Sequence, residues 1–366
     1  MSERRPAADP FGLPPDAPDP ANLVCPAPIP ELARVLLGHG SGGQLSAALM
    51  REVIGPALVA AAPGGPLNDA AVVEVAGQRL AFTTDSFVVS PLQFPGGDIG
   101  ELAVNGTVND LAMMGAQPLA LSLAYVIEEG LPIEELRKVT ESVARAALRA
   151  GVRIVTGDTK VVGRGAADGL FVNTAGIGLV APGVTVGADR ASVGDALILS
   201  GPIGLHGVAI MSVREGLDFE VEIASDTQPL NGLVAAIVAA CPEVRVLRDP
   251  TRGGLASALN EIASASGVGI DLREETIPIP GPVRAACEML GLDPLHVANE
   301  GKLVAVVPAS AVDAVLAAMR AVPEGAEAVE IGRVVADHPR MVAMRTIVGS
   351  QRIVDMLVGE QLPRIC

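Results

Sequence analysis

Between residues 70 and 180 the apolar pattern switches repeatedly between strand and helix spacing, which commits this stretch to a mixed α/β layer. Strand-like runs at 70–75 and 79–84 flank Gly77-Gln78, a spacing that predicts a hairpin. A helix opens at Asp98, where Glu101 three residues on makes a capping box, and it runs to Met113-Met114 before Gly115. Residues 119–127 read as a strand. Pro132 opens a second helix, in which Ile133, Leu136, Val139, Val143 and Ala147 keep helical spacing until Gly151. Strands at 153–155 and 170–180 complete the layer. The chain has no Trp, one Tyr and six Phe, so its core must be aliphatic, the usual filling of α/β layers.

The pattern loosens around 187–194, which predicts a boundary between a first domain at 31–186 and a second at 187–348. The second carries a strand at 196–200, helices near 204–215, 230–241, 255–266 and 310–320, and strands near 303–307, 330–335 and 341–347. Residues 1–30 contain nine prolines and no apolar segment; they read as a disordered leader rather than a signal peptide. Residues 349–366 are expected to form a flexible tail. The expected fold class is α/β with α+β mixing, in two domains.

Charge narrows the function. Twenty-six basic residues face 42 acidic ones, a net of −16, which repels nucleic acid. No apolar run approaches the ~20 residues of a membrane span. Four cysteines (Cys25, Cys241, Cys287, Cys366) include no CxxC pair, so neither a zinc site nor a disulfide framework is indicated. Reduced thiols fit a cytoplasmic location.

Several motifs carry chemistry. Gly38-x-Gly40-x-x-Gly43 matches the dinucleotide fingerprint literally, but the position some 20 residues on falls among alanines instead of an acid. What remains is a flexible run before a helix at 44–54, whose free N–H groups can hold phosphate. If the hairpin turn centres on Gly77-Gln78, Asp69 sits beside Asp85, and two adjacent carboxylates call for a divalent cation such as magnesium. Asn105 and Asn109 share a helix face with Glu101 one turn back, and amides in an apolar helix need partners. Gly157-Asp158-Thr159-Lys160 places an acid and a base at a strand end. Arg248-Asp249-Pro250-Thr251-Arg252-Gly253-Gly254 precedes a helix, an anion-holding arrangement. Asn299-Glu300-Gly301-Lys302 precedes a strand. His39, His206, His296 and His338 lack metal-ligand spacing and read as structural. The last residue, Cys366, follows a run from Gly359 that spans roughly 23 Å when extended, which suits a covalent carrier arm. It lies in the wrong place for prenylation.

Taken together, GHGSGG at 38–43, NDAAV at 68–72, the stretch 83–116, TGDTKVV at 156–162, RDPTRGG at 248–254, ANEGK at 298–302 and PRIC at 363–366 resemble the HypE family of hydrogenase maturation proteins. That family sits in the ATP-binding superfamily of aminoimidazole ribonucleotide synthetase (PurM-like). The resemblance implies that Cys366 receives a carbamoyl group from a HypF-like carbamoyltransferase and that ATP drives its dehydration to a thiocyanate. Cyanide then passes to a HypC/HypD-like iron scaffold. It also implies Asp69, Asp85, Asp110 and Asp158 as magnesium ligands. Gly40, Ser41, Gly42, Gly43, Asn105, Asn109 and Thr159 are implied at the nucleotide. Glu300 would be the base and Lys160 would orient the thiocarbamate. A homodimer with nucleotide near the subunit interface is implied as well. Two rival readings are a small-molecule kinase of the same superfamily and a non-catalytic cysteine carrier. Cys25 is followed by Pro26 rather than lysine, which separates the chain from selenophosphate synthetases.

Overall fold

A computed structural model describes residues 34–61, 68–216, 223–359 and 364–366. The proline-rich leader with Cys25 lies outside these residues. Leu37–Cys366 forms one compact unit.

The helix expected at 44–54 is α1 (Gln44–Leu49), which continues through a wider π turn into α2 (Gly55–Leu58). The hairpin follows as β1 (Ala71–Val75) and β2 (Gln78–Phe87). Its turn is Ala76-Gly77, both at positive φ, 51° and 77°. Two such residues make a two-residue turn whose twist matches the strands. The turn is therefore one residue earlier than expected. The pairing ends at Ala71 with Phe82, so Asp69 lies just beyond the ladder, where its carbonyl accepts from the Thr83 hydroxyl at 3.0 Å.

After the short pair β3 (Gln93–Phe94) and β4 (Gly97–Asp98) comes α3 (Ile99–Met113). Asp98 Oδ1 accepts from the N–H groups of Gly100 and Glu101, at 2.7 and 3.0 Å. Only this half of the capping box forms, because the Glu101 carboxylate pairs with Arg149 instead. β5 (Ala116–Glu128), α4 (Ile133–Ala150), β6 (Arg153–Val162) and β7 (Leu170–Val180) follow. Gly151, at φ 72°, ends α4 in the left-handed conformation.

The second half contains β8 (Ala196–Leu199), α5 (Leu205–Arg214), α6 (Asn231–Ala240), β9 (Val246–Arg248), α7 (Gly254–Ser266), β10 (Gly269–Arg273) and α8 (Gly281–Leu290). β11 (Val304–Val307), α9 (Val312–Arg320), β12 (Val329–Val335), β13 (Val342–Arg345) and β14 (Gln351–Val354) complete it.

Among the described residues the strands form a five-stranded sheet, β1-β2-β7-β5-β6, and a seven-stranded sheet, β14-β13-β10-β12-β8-β11-β9. The tail expected from residue 349 is not free at its start: Gln351–Val354 pairs antiparallel with β13 as the edge of the second sheet.

Helix α3 joins the halves. It is buried on nearly every side, and Val104, Val108 and Leu111 share one core with Ile198, Leu233, Ile237 and Ala305 of the second half. The buried amide of Asn109 adds a polar tie across the same boundary. Its Nδ2 donates to the Gln228 carbonyl at 3.1 Å, and its Oδ1 accepts from the Leu230 N–H at 2.7 Å.

Candidate functional site

Two loops far apart in sequence pack against each other and set the site between them. Gly42 has φ 77°, and a Cβ there would lie 2.8 Å from Arg252 Cβ and 2.9 Å from its carbonyl oxygen. Gly253, at φ 75°, faces back onto the Gly42 carbonyl and opens α7. A side chain at Gly42 would force the loops apart, and one at Gly253 would collide first with Ser257 of α7. The glycine loop is also tied to the chain's end segment: Gln44 N–H donates to the Leu357 carbonyl at 2.9 Å.

Two cavities open around this junction. The first, of ≈ 150 Å³, is lined by Gly40, Ser41, Gly43, Arg252, Leu357 and Cys366 among others. The second, of ≈ 270 Å³, is lined by the acids Asp69, Asp85, Asp110, Asp249, Glu261 and Glu300 together with Gly42, Arg252 and Cys366 among others. Arg252 and Cys366 border both.

Asp69, Asp110 and Asp249 each present a carboxylate oxygen within 4.8 Å of the other two. They come from the start of β1, from α3 and from the end of β9, so neighbouring sequence could not bring them together. The Thr83 hydroxyl lies 2.9 Å from Asp110 Oδ2 and 3.0 Å from the Asp69 carbonyl. Arg248 Nη1 stands 3.4 Å from Asp69 Oδ1 and pairs also with Glu261.

Crowding like charges out of water disfavours ionisation. Burial raises the pKa of Asp69, with Arg248 opposing. Burial pushes Asp110 well above the usual carboxylate range, reinforced by Asp249, Asp69 and Asp85. Asp249 is pushed up to about 8 by burial and then by Asp69. Asp85 is raised by burial against the pull of Arg252. A divalent cation with hard oxygen ligands would remove this repulsion, and the donor set fits magnesium.

Glu300 enters the same cavity from the turn before β11. It is 4 % exposed, and its Oε1 has no hydrogen-bond partner among the described residues. Burial, then Asp249 and Asp226, raises its pKa well above normal, while Arg252 opposes. A buried carboxylate with an idle oxygen, facing a thiol across a cavity, is placed to exchange a proton with whatever that thiol carries.

Cys366 reaches the cavities because its segment is docked. The N–H groups of Val88 and Ser90 donate to main-chain oxygens of Cys366 and Arg364, at 3.1 and 3.4 Å, a short antiparallel pairing. Arg364 Nε donates to the Val88 carbonyl at 3.1 Å and its guanidinium pairs with Asp168. Ile365 is 3 % exposed among Phe87, Val89, Phe94 and Ile210. Residues 364–366 are thus docked in this structure, with Ile365 buried and Arg364 and Cys366 partly exposed. Burial pushes the Cys366 thiol up to about 12 against the opposing charge of Arg252.

Other expectations fall elsewhere. Asp158, Thr159 and Lys160 line neither cavity of their own chain. They lie exposed on the edge strand β6, where Lys160 Nζ pairs with Asp158 Oδ2 at 2.6 Å. Asp158 is accordingly lowered in pKa, first by the hydrogen bond from Lys160. Asn105 and Asn109 are buried and line neither cavity: Asn109 serves the backbone contacts above and donates to the Glu300 carbonyl at 3.4 Å, and Asn105 donates to Thr227 Oγ1 at 3.2 Å. The Gly42 N–H expected to face phosphate is taken by Ser46 Oγ at 2.9 Å. Two groups the sequence reading left unassigned, Asp249 and Arg252, stand at the centre. Their loop was legible only as an anion-holding turn.

The fold matches known proteins along most of its length. The family description "AIR synthase related protein, N-terminal domain" fits residues 67–180, and "AIR synthase related protein, C-terminal domain" fits residues 192–343. The chain is 56 % identical over 328 residues to carbamoyl dehydratase HypE of Azotobacter vinelandii, covering 90 % of this chain and 96 % of that protein. It superposes with a TM-score of 0.79 on a crystal structure of a HypE–HypF complex, at 47 % identity over 84 % of this chain and 100 % of the other. A crystal structure of HypE in complex with ATP gives a TM-score of 0.77 at 46 % identity, covering 91 % and 100 %. With this identity sustained across both halves of the fold, the chain belongs to the HypE family of AIR synthase related proteins.

Proposed function

We propose that this chain uses ATP to dehydrate a carbamoyl group carried on its own Cys366. The product is a thiocyanate that supplies cyanide ligands to the iron centre of a [NiFe] hydrogenase. The observation that carries this reading is the position of Cys366, which borders the acid cavity beside Glu300 and the glycine-loop cavity at once.

The chemistry follows from what each group can do. A carbamoyl oxygen is a poor leaving group; phosphorylation makes it phosphate, and loss of both nitrogen protons leaves a C≡N bond. Glu300 takes a nitrogen proton, for which its idle, buried oxygen is suited. Asp69, Asp110 and Asp249, with Asp85 beside them, hold magnesium. When bound, the metal neutralises charge on the transferred phosphoryl group. Gly40, Ser41 and Gly43 border the nucleotide, and the α7 N-terminus faces its phosphates. Docking places the thiol between the two cavities and burial pushes it up, away from the reactive thiolate. Carbamoyl loading by a HypF-like partner therefore takes place with the segment undocked. A HypC/HypD-like iron scaffold receives the cyanide.

Asp158, Thr159 and Lys160 keep their assignment to the site only if they reach it from a second copy. Strand β6 is exposed along almost its whole length, including Ile154, Val155 and Val161, and an apolar edge of this kind calls for cover. We assign a homodimer, in the cytoplasm, in which each copy completes the other's cavity. Among the described residues no helix is long and apolar enough to cross a membrane.

Mass spectrometry of the carbamoylated protein incubated with ATP tests the reaction: the peptide ending in Cys366 loses one water. ATP consumed with the carbamoyl mass unchanged contradicts it. Mixing tests the shared site. Lys160→Ala and Glu300→Gln variants, each inactive alone, should recover up to about a quarter of wild-type activity after co-refolding, because random mixing makes about half the dimers mixed and each mixed dimer has one intact site. No recovery would place Lys160 outside the partner's site.

A further inference from the structure

We infer that His206 is a positioning residue, whose Nε2–H holds residues 364–366 in place by donating to the Ile365 carbonyl. The proposal extends the reading above and depends on it only for its purpose. Pairing with Val88 and Ser90 uses main-chain oxygens of Cys366 and Arg364, and the Ile365 carbonyl takes no part in it. Ile365 is buried, and an orphaned carbonyl there would oppose docking. His206 Nε2 lies 2.8 Å from it.

The ring is built to donate. His206 is 0 % exposed on α5, its ring meets Phe94 edge-on at 5.5 Å, and its Nδ1 lies 2.8 Å from Ser225 Oγ. Ser225 Oγ already accepts the Thr227 N–H at 3.1 Å, which leaves its proton for Nδ1. A carbonyl can only accept, so Nε2 carries the ring's hydrogen. Burial lowers the His206 pKa, which keeps the ring neutral. His206 lines neither cavity, so it touches no reacting atom. It fixes where the sulfur stands by gripping the residue before it.

The test is iodoacetamide labelling of the uncarbamoylated protein, with the rate at each cysteine read by peptide mass spectrometry. Cys241 and Cys287, both buried, report on the fold as a whole. His206→Leu should speed labelling of Cys366 about tenfold, the effect of leaving one buried acceptor unpaired, and leave Cys241 and Cys287 unchanged. His206→Gln, whose amide can donate from the same place, should label Cys366 within about twofold of wild type. The proposal is overturned if His206→Leu leaves Cys366 unchanged, if Cys241 and Cys287 accelerate equally, or if His206→Gln fails to restore protection. Labelling needs neither nucleotide nor carbamoyl group, so a failure here leaves the dehydration reading standing.

Discussion

Glu300→Gln should lose dehydration by about 10²- to 10⁴-fold while binding nucleotide as before. The amide matches the carboxylate in size but cannot take a proton from the thiocarbamate nitrogen. Single-turnover mass spectrometry of the peptide ending in Cys366, beside nucleotide binding by calorimetry, separates the two effects. The wild-type rate carries a signature of the same group. Burial, with Asp249 and Asp226 nearby, raises Glu300 well above 4.5, and only the ionised form is a base. The rate should therefore climb with pH over a range displaced upward from that of an ordinary carboxylate. A Glu300→Gln protein that dehydrates at the wild-type rate puts the base elsewhere.

Replacing Asp249 should separate activity from stability. Asp249→Asn removes one of three clustered oxygens, and dehydration should fall by at least about 10³-fold, as expected when phosphoryl-charge neutralisation is lost. Stability moves the other way in the metal-free protein. Burial and the neighbouring Asp69 push Asp249 up to about 8 in the fold, against 3.8 for an ordinary aspartate. Between those values the native state binds more protons than the unfolded chain, so stability falls as pH rises and is fully retained only below the lower one. Asparagine has no proton to lose. At pH 8 without divalent ions the variant should melt higher than wild type, by an amount worth up to a few kcal/mol. Added magnesium should raise the wild-type melting temperature and barely move that of the variant. Equal stabilisation of both proteins by magnesium would remove Asp249 from the ligand set.

The legible parts of the fold were those with punctuation. Asp98 before α3, Pro132 and Gly151 around α4, and the Gly77 turn each fix a boundary by local chemistry, and the observed elements begin and end within a residue or two of them. Short pieces without such marks were missed: β9 has three residues, β10 five, and β14 lay in what read as a tail. The site was harder to read, because its parts converge only through the fold. Asp69, Asp110 and Asp249 belong to three distant elements. Asp249 hides between a three-residue strand and a proline. Asn109 looked like a ligand because a buried amide needs partners, and it has them in the backbone at 228 and 230. Asp158 and Lys160 stand at a strand end as expected, but exposed and paired with each other on β6, so their own chain does not show what they serve.

The docked position of Cys366 makes the reacting group a part of the catalyst's own chain. Tethering fixes its local concentration, so turnover is first order and cannot be saturated by a second reactant other than nucleotide. Diluting the protein leaves the rate per molecule unchanged so long as its assembly survives. Each molecule yields one nitrile per visit of its sulfur, and the throughput of a preparation is capped by how often that sulfur departs and returns.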